Sequence, residues 1–437
     1  MGWTFSGYLI AAAVATPVFG RLGDMYGKRR LLVISLWLFA AGSAVSALAD
    51  SLDAVVVGRV LQGAGGGIFP LCFGIIRDEF PRDRVARSIG LISATVGIGG
   101  GFGLVLGGVL LDHTSYHWIF VAGLVMASVG AIGTQLWVPE SPIRSPGRVD
   151  VRGALVLGVG LTLPMIAIAR ANEWGWTSGR TLGLCAIGLA VLAAWVALER
   201  RTPEPLVHIP TLIKPPVLLT NATTVFMGFG MFCSFLLCPQ LVQLSTDTGF
   251  GFGRSATTAG FVMVPGTLSM LVSGPLSGVL GGRFGNRMPL SLGGLLCSVG
   301  ILGLALDHSS LLGLTLWNLL ACFGIGFAYA AMPNLIVDAV PQARTGEATG
   351  FNAVVRSIGS SLGSQVTAAI LVGSAVVAGG APSETGFETA FYAGAGVALA
   401  AAILALFIPR AGHSHLSVAE EIGAASTLPD PALAADR

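Results

Sequence analysis

The chain has 437 residues, 53% of them hydrophobic and only 11% charged, with 62 glycines. Soluble domains carry about 25% charged residues, so this composition excludes an ordinary globular protein. The net charge of +2 says little as a sum; the positions of the charges carry the information.

In chain order, apolar runs long enough to cross a bilayer cover roughly residues 3–20, 31–49, 54–76, 88–111, 118–138, 153–170, 181–198, 216–240, 255–280, 288–306, 310–337, 348–379 and 389–409. Lipid offers the backbone no hydrogen bonds, and runs of this length satisfy it as helices. The expected fold class is therefore an all-α polytopic membrane bundle of about thirteen spans.

Between the first two runs, residues 20–30 read GRLGDMYGKRR. This reads as a tight turn, with Gly20, Gly23 and Gly27 permitting close approach and Arg21, Lys28, Arg29 and Arg30 marking the cytoplasmic side. Asp24 is the one acid among these bases. It is expected to pair with Arg21, Arg29 or the start of a neighbouring helix. With this turn inside, only Arg170, Arg180 and Arg254 fall outside, and Arg59 and Arg356 lie within spans; every other Lys and Arg is in a cytoplasmic loop or tail. That asymmetry places the N-terminus outside a cell membrane and the C-terminus in the cytoplasm.

Residues 139–152 (PESPIRSPGRVDVR) form a polar linker, followed by two spans that end at Glu199-Arg200-Arg201. The stretch TPEPLVHIPTLIKPP comes next and is expected to lie along the membrane surface as an amphipathic cytoplasmic segment. The tail, 411–437, is small and polar and is expected to be disordered. The division read from this is 1–138, 139–214, 215–410 and 411–437.

The chain also repeats itself. Pro81, Arg84, Gly90, Gly99 and Gly103 recur at a constant offset of 260 as Pro341, Arg344, Gly350, Gly359 and Gly363. Residues 20–29 have a degenerate echo at 278–287, in which Gly282 takes the place of Asp24. Two parallel repeats about a central pathway are a transporter architecture.

Other chemistries are excluded or unsupported. The six cysteines (Cys72, Cys185, Cys233, Cys238, Cys297, Cys322) stand singly in apolar runs and read as small buried hydrophobes, with no metal-ligand spacing. No phosphate loop GxxxxGK(S/T) is present, so the chain is not expected to consume nucleotide; no nucleic-acid partner, enzyme activity or cofactor is expected either. No basic n-region precedes Trp3, which argues against a signal peptide. Met1-Gly2…Ser6 fits the myristoylation pattern but opens directly into an apolar run, so it reads as coincidence.

Arg59 and Arg356 are charges inside spans. A charge at mid-membrane costs on the order of 2.5–3.5 kcal/mol on insertion scales. Arg59 either snorkels to the outer surface from about one turn inside or serves the transport pathway. Arg356 could meet Asp338 or Glu347, or line the pathway. Gly99, Gly103 and Gly107 recur every fourth residue on one face, with Gly97, Gly100, Gly101 and Gly108 near it. Small-residue helix packing accounts for such a face.

The spacing G-x-L-x-D-x-x-G-K-R-R of residues 20–30 resembles the loop signature between the second and third helices of the major facilitator superfamily. Arg59-Val-Leu-Gln62-Gly63 looks like the fourth-helix motif of the same superfamily. Asp150-x-x-Gly153, Trp174-Gly-Trp176, Glu204-Pro205-Leu206 and Arg356-x-x-Gly359 resemble its fourteen-helix multidrug:proton antiporter branch. The resemblance runs from Trp3 to about Pro409. It implies two six-helix repeats plus two inserted central helices, with the first repeat one helix short. The implied function is secondary active transport, a proton-driven efflux of lipophilic or cationic compounds by alternating access. Gating would fall to Gly20, Asp24, Gly27, Lys28 and Arg29. Proton coupling would fall to Arg59, Gln62, Gly63 and Arg356, with the arginine tuning a nearby acid. Gly99, Gly103, Gly107 and Gly108 would correspond to the fifth-helix antiporter motif G-P-x-x-G-G, although Leu104 stands where that motif has proline. The alternatives are a facilitator of another small solute, or a truncated membrane protein that does not transport. All 22 Asp and Glu lie in loops, tails or span ends. In the family the pathway acid commonly sits on the first helix. The expectation is therefore that Met1 is an internal methionine of a longer reading frame or the start of a non-functional remnant.

Overall fold

The computed structural model of the chain describes residues 2–143, 150–203, 205–374 and 381–409. The tail, Glu204 and the last residues of the expected 348–379 span lie outside them. The first group of helices is α1 (Gly2–Tyr26), α2 (Lys28–Ala47), α3 (Leu52–Ala64), α4 (Ile68–Glu79), α5 (Arg82–His113) and α6 (Tyr116–Trp137). An inserted pair follows, α7 (Val151–Trp174) and α8 (Gly179–Glu199), then the single turn α9 (Ile209–Leu212). The second group is α10 (Pro215–Gln243), α11 (Ala256–Phe284), α12 (Arg287–Leu306), α13 (Leu311–Ala339), α14 (Thr345–Gly373) and α15 (Glu384–Leu406). No strand occurs among the described residues.

Among the described residues, eleven segments are long and apolar enough to cross a membrane by length and composition, α3 and α4 counting as one. α1, with 25 residues, and α14, with 29, are also of spanning length and pack against each other, which accounts for the thirteen runs read from the sequence. The helices alternate in direction, so one end of the bundle collects Lys28, Arg29, Arg30, Arg77 and Arg283. We call this the basic end. At the opposite end Ser51, Ser178, Ser255, Ser310 and Ser383 each accept a hydrogen bond from the backbone N–H three residues on, capping α3, α8, α11, α13 and α15.

The turn expected over 20–30 is far shorter than that. α1 runs to Tyr26 and α2 begins at Lys28, leaving Gly27 alone between them at φ 111°. Only glycine takes that conformation cheaply, and the Glu140 carboxyl lies 2.8 Å from where a Cβ would stand. The run over 54–76 is in turn broken at residues 65–67, three glycines pressed against α1 and α2.

The two groups meet along two seams. α5 lies along α11, and α1 lies along α14. The 260-residue repeat explains their likeness. The N–H groups of Arg84 and Arg344 bond back to the carbonyls of Pro81 and Pro341, at 2.8 and 3.0 Å, and so start α5 and α14 alike. Gly90 then packs on α11 and Gly350 on α1.

The inserted hairpin packs through α7 against α1 and α14, while α8 turns Leu182, Ile187 and Leu189 outward. Asp150 caps α7 by accepting the Gly153 N–H at 2.8 Å. The stretch after α8 departs from expectation. Leu206 and Val207 are fully buried, and Ile209 and Leu212 nearly so, among Ala13, Trp195, Val340 and Ala348. Residues 206–213 are apolar at all but two positions. A segment apolar nearly all round is buried inside a bundle rather than lying at its surface.

Candidate functional site at the basic end

The end of α1, the start of α2 and the end of α4 enclose a charged cluster. Lys28 is only 1% exposed, although it is a lysine at a helix N-terminus. Its Nζ lies 3.2 Å from Asp24 Oδ1 and 2.7 Å from Asp78 Oδ2. The aliphatic stem fits because residue 74 is glycine; a Cβ there would stand 2.7 Å from the Lys28 Cδ. Asp78 is further held by the Ser141 hydroxyl and by Gln342 Nε2 at 3.3 Å. So the partner of Asp24 is Lys28, four residues on and one turn away, and not Arg21 or Arg29. The expected contact with a neighbouring helix start does form. Asp24 Oδ2 accepts the Glu347 N–H at 3.2 Å, in the first turn of α14.

That last bond joins the two halves, and others accompany it. Arg77 donates to the carbonyls of Val340, at 2.8 Å, and Pro341, at 3.3 Å, and to the Thr345 hydroxyl. Gly20 and Gly346 approach so closely that a Cβ on Gly20 would stand 2.4 Å from the Gly346 oxygen. Glu140 caps α2 instead, accepting the N–H groups of Arg29 and Arg30 at 3.0 and 3.2 Å. Glu347 reaches the other way and accepts the His208 N–H, which ties the buried 205–213 stretch to the start of α14. Burial, with Arg344 and Lys214 nearby, holds the His208 imidazole below its usual range.

Deeper in the bundle, Arg59 donates to Gln62 Oε1 at 2.8 Å, and its guanidinium lies 4.6 Å from the Tyr8 ring centroid. Gln62 continues to the Ser43 hydroxyl at 2.7 Å, and Gly63 lets the Tyr8 backbone pass at contact distance. Arg356 meets neither Asp338 nor Glu347. Its guanidinium covers the Tyr329 ring at 5.0 Å, whereas Asp338 accepts from Asn286 at 2.7 Å. The reason is depth, since both acids sit at the basic end and Arg356 lies about two turns further in. Each in-span arginine is thus set over a tyrosine ring, Arg59 over Tyr8 and Arg356 over Tyr329.

Residues 1–364 match the sequence family described as Major Facilitator Superfamily. The chain belongs to that superfamily. Among relatives of known name, it is 26% identical to Multidrug resistance protein 3 of Bacillus subtilis, over 83% of this chain and 70% of that one. It is 29% identical to the Tetracenomycin C resistance and export protein of Streptomyces glaucescens, over 84% and 68%. Among solved structures, the human organic anion transporter MFSD10 (TETRAN) superposes with a TM-score of 0.63 at 18% identity, covering 92% of this chain and 83% of that one, a likeness of fold.

For this member of the superfamily, the glycines of α5 divide into two faces. Gly90, Gly97, Gly101 and Gly108 meet α11, where each would drive a Cβ within 3.0 Å of it. Gly99, Gly103 and Gly107 have nothing within 4 Å among the described residues. So the four glycines singled out in the sequence do not share one environment, and Gly108 belongs with the packed face. In the second half the repeat-related Gly359 and Gly363 do have a partner, the α10 carbonyls of Val225 and Phe229. Sequence reading missed Arg77, Glu140 and Ser141, whose roles come from chain-distant partners. It also passed over Asn352, whose Nδ2 bonds Asn221 at 2.8 Å and Thr224 at 2.9 Å between α14 and α10. Amides inside apolar runs were the available signal.

Proposed function

We propose that this chain exports lipophilic or cationic compounds in exchange for protons, by alternating access between halves 1–138 and 215–410. The basic end then faces the cytoplasm, with the N-terminus outside and 139–214 bridging the halves. The relatives' names, a multidrug resistance protein and an export protein, support the substrate class. The observation that carries the reading is the set of bonds joining the halves at the basic end, Asp24 to Glu347 N–H and Arg77 to Val340, Pro341 and Thr345. These bonds would part together when that end opens, which gives the two-state element alternating access requires. The Arg59–Gln62–Ser43 chain beside Tyr8 offers a polar route inside the first half.

Uptake of a lipophilic cationic dye into everted membrane vesicles tests it. With an acidic interior the dye accumulates, and a protonophore abolishes accumulation. Dye movement that ignores the protonophore would make the chain a facilitator. No movement beyond control vesicles would make it a protein that does not transport. Arg59→Ala is expected to lose proton-driven accumulation while still binding the dye. Equal accumulation in Arg59→Ala would assign Arg59 to snorkelling.

A further inference from the structure

At the end opposite the basic loops, the end of α12, the loop after α10 and the start of α15 enclose a recess of about 490 Å³. Asp307, His308, Glu384 and Glu388 line it, and no Lys or Arg does so among the described residues. Three carboxylates thus face one cavity with a single imidazole beside them.

His308 is the buried member, at 8% exposure. Its Nδ1 lies 3.2 Å from the Leu304 carbonyl oxygen, an acceptor, so the ring N–H belongs on that nitrogen. Nε2 then carries the lone pair, and it faces Glu384 Oε1 at 3.2 Å. An acceptor set against an acceptor inside a half-closed recess is unfavourable unless a cation lies between them. The cation is either a second ring proton or a metal ion.

A third ligand points to the metal, because a ring proton would need only Glu384. Ligand atoms of His308, Glu384 and Glu388 all lie within 4.8 Å of one another. Nitrogen and oxygen ligands at about 2.0–2.2 Å from a tetrahedral zinc stand about 3.4 Å apart, close to the His308–Glu384 spacing. A ring N–H anchored on a backbone carbonyl is also how metal-binding histidines are oriented. Asp307 is engaged elsewhere, accepting the Ser309 hydroxyl at 3.1 Å.

We propose that His308, Glu384 and Glu388 bind a divalent transition-metal ion of the zinc class, with water completing its shell. One imidazole with two carboxylates suits zinc-like ions better than calcium or magnesium, which prefer all-oxygen sites. The ion would fasten the end of α12 to the first two turns of α15, on the face away from the cytoplasmic latch.

The full chain, reconstituted in lipid nanodiscs and stripped with a chelator, is titrated with Zn²⁺ in a calorimeter and with Co²⁺ in a spectrophotometer. One Zn²⁺ per chain and the strong visible absorption of four-coordinate Co²⁺ are expected. His308→Ala and Glu384→Gln should each weaken Zn²⁺ binding by at least about tenfold and remove the absorption. Glu384→Gln alters a half-exposed side chain, so it keeps the test valid if His308→Ala fails to fold. Absence of saturable Zn²⁺ binding would assign the contact to a protonated His308 paired with Glu384 and overturn the proposal. Unchanged affinity in Glu384→Gln and Glu388→Gln would place the metal elsewhere and overturn it equally.

Discussion

Lys28 pairs with two carboxylates at once, and all three side chains are at most 1% exposed. Removing one partner of a buried ion pair leaves an uncompensated charge and costs about 3–5 kcal/mol. Lys28→Met should therefore lower the thermal unfolding temperature of the purified protein sharply. The double variant Lys28→Met/Asp78→Asn should regain much of the loss, and a Lys28→Met protein that melts with the wild type would contradict this account. Asp24→Ala differs in kind. It leaves the Lys28–Asp78 pair intact and removes the carboxylate that receives the Glu347 N–H from the other half. Abundance should stay near wild type while the dye-export rate falls. Normal export by well-expressed Asp24→Ala would remove Asp24 from the gate. That residues 20–30 join two helices was legible from their place between two apolar runs. Lys28's burial was not, because Asp78 comes from fifty residues away and Gly74 makes room for the stem.

Helices could be read from the sequence because each apolar run is long enough to force one in lipid. What could not be read was which polar connections lie inside the bundle. The 205–213 stretch shows why. An apolar segment with two prolines fits a membrane surface and a protein interior equally well, and the choice is made by distant groups. Here these are the Glu347 carboxylate, which holds His208 N–H, and the apolar cluster of α1, α7, α8, α13 and α14 that takes in Leu206 and Val207. Glu347→Ala should free this strap without unfolding its neighbours. Hydrogen–deuterium exchange should then rise at least about tenfold in 205–213, reflecting a lost charged hydrogen bond worth about 1.5–3 kcal/mol, while α10 stays protected. Exchange that is unchanged in 205–213 would show that apolar packing alone holds the strap.

The internal repeat gives the molecule two halves that can be compared with each other. Gly363 and Gly103 are related by the repeat, yet Gly363 presses on the Phe229 carbonyl, 2.6 Å from where its Cβ would stand, and Gly103 meets nothing within 4 Å. Gly363→Leu should lower folded yield strongly, through overpacking worth about 1–3 kcal/mol or more. Gly103→Leu should be neutral or slightly stabilising, since it trades glycine for a better helix former. Size-exclusion profiles of the two variants provide the comparison, and equal losses would refute the asymmetry. The seam between α5 and α11 bears on speed. Gly90 and Gly274 touch through backbone alone, as do Gly278 and Ala86, whereas further along the seam the Met270 and Thr267 side chains fill the room left by Gly97 and Gly101. Helices that interlock must lift their knobs out of holes before they slide, and this pair is spared that step only near the basic end. That stretch of the seam is shaped as a plain bearing. In the export cycle proposed above, the pace of each swing is then set by how fast the polar catch at the basic end lets go.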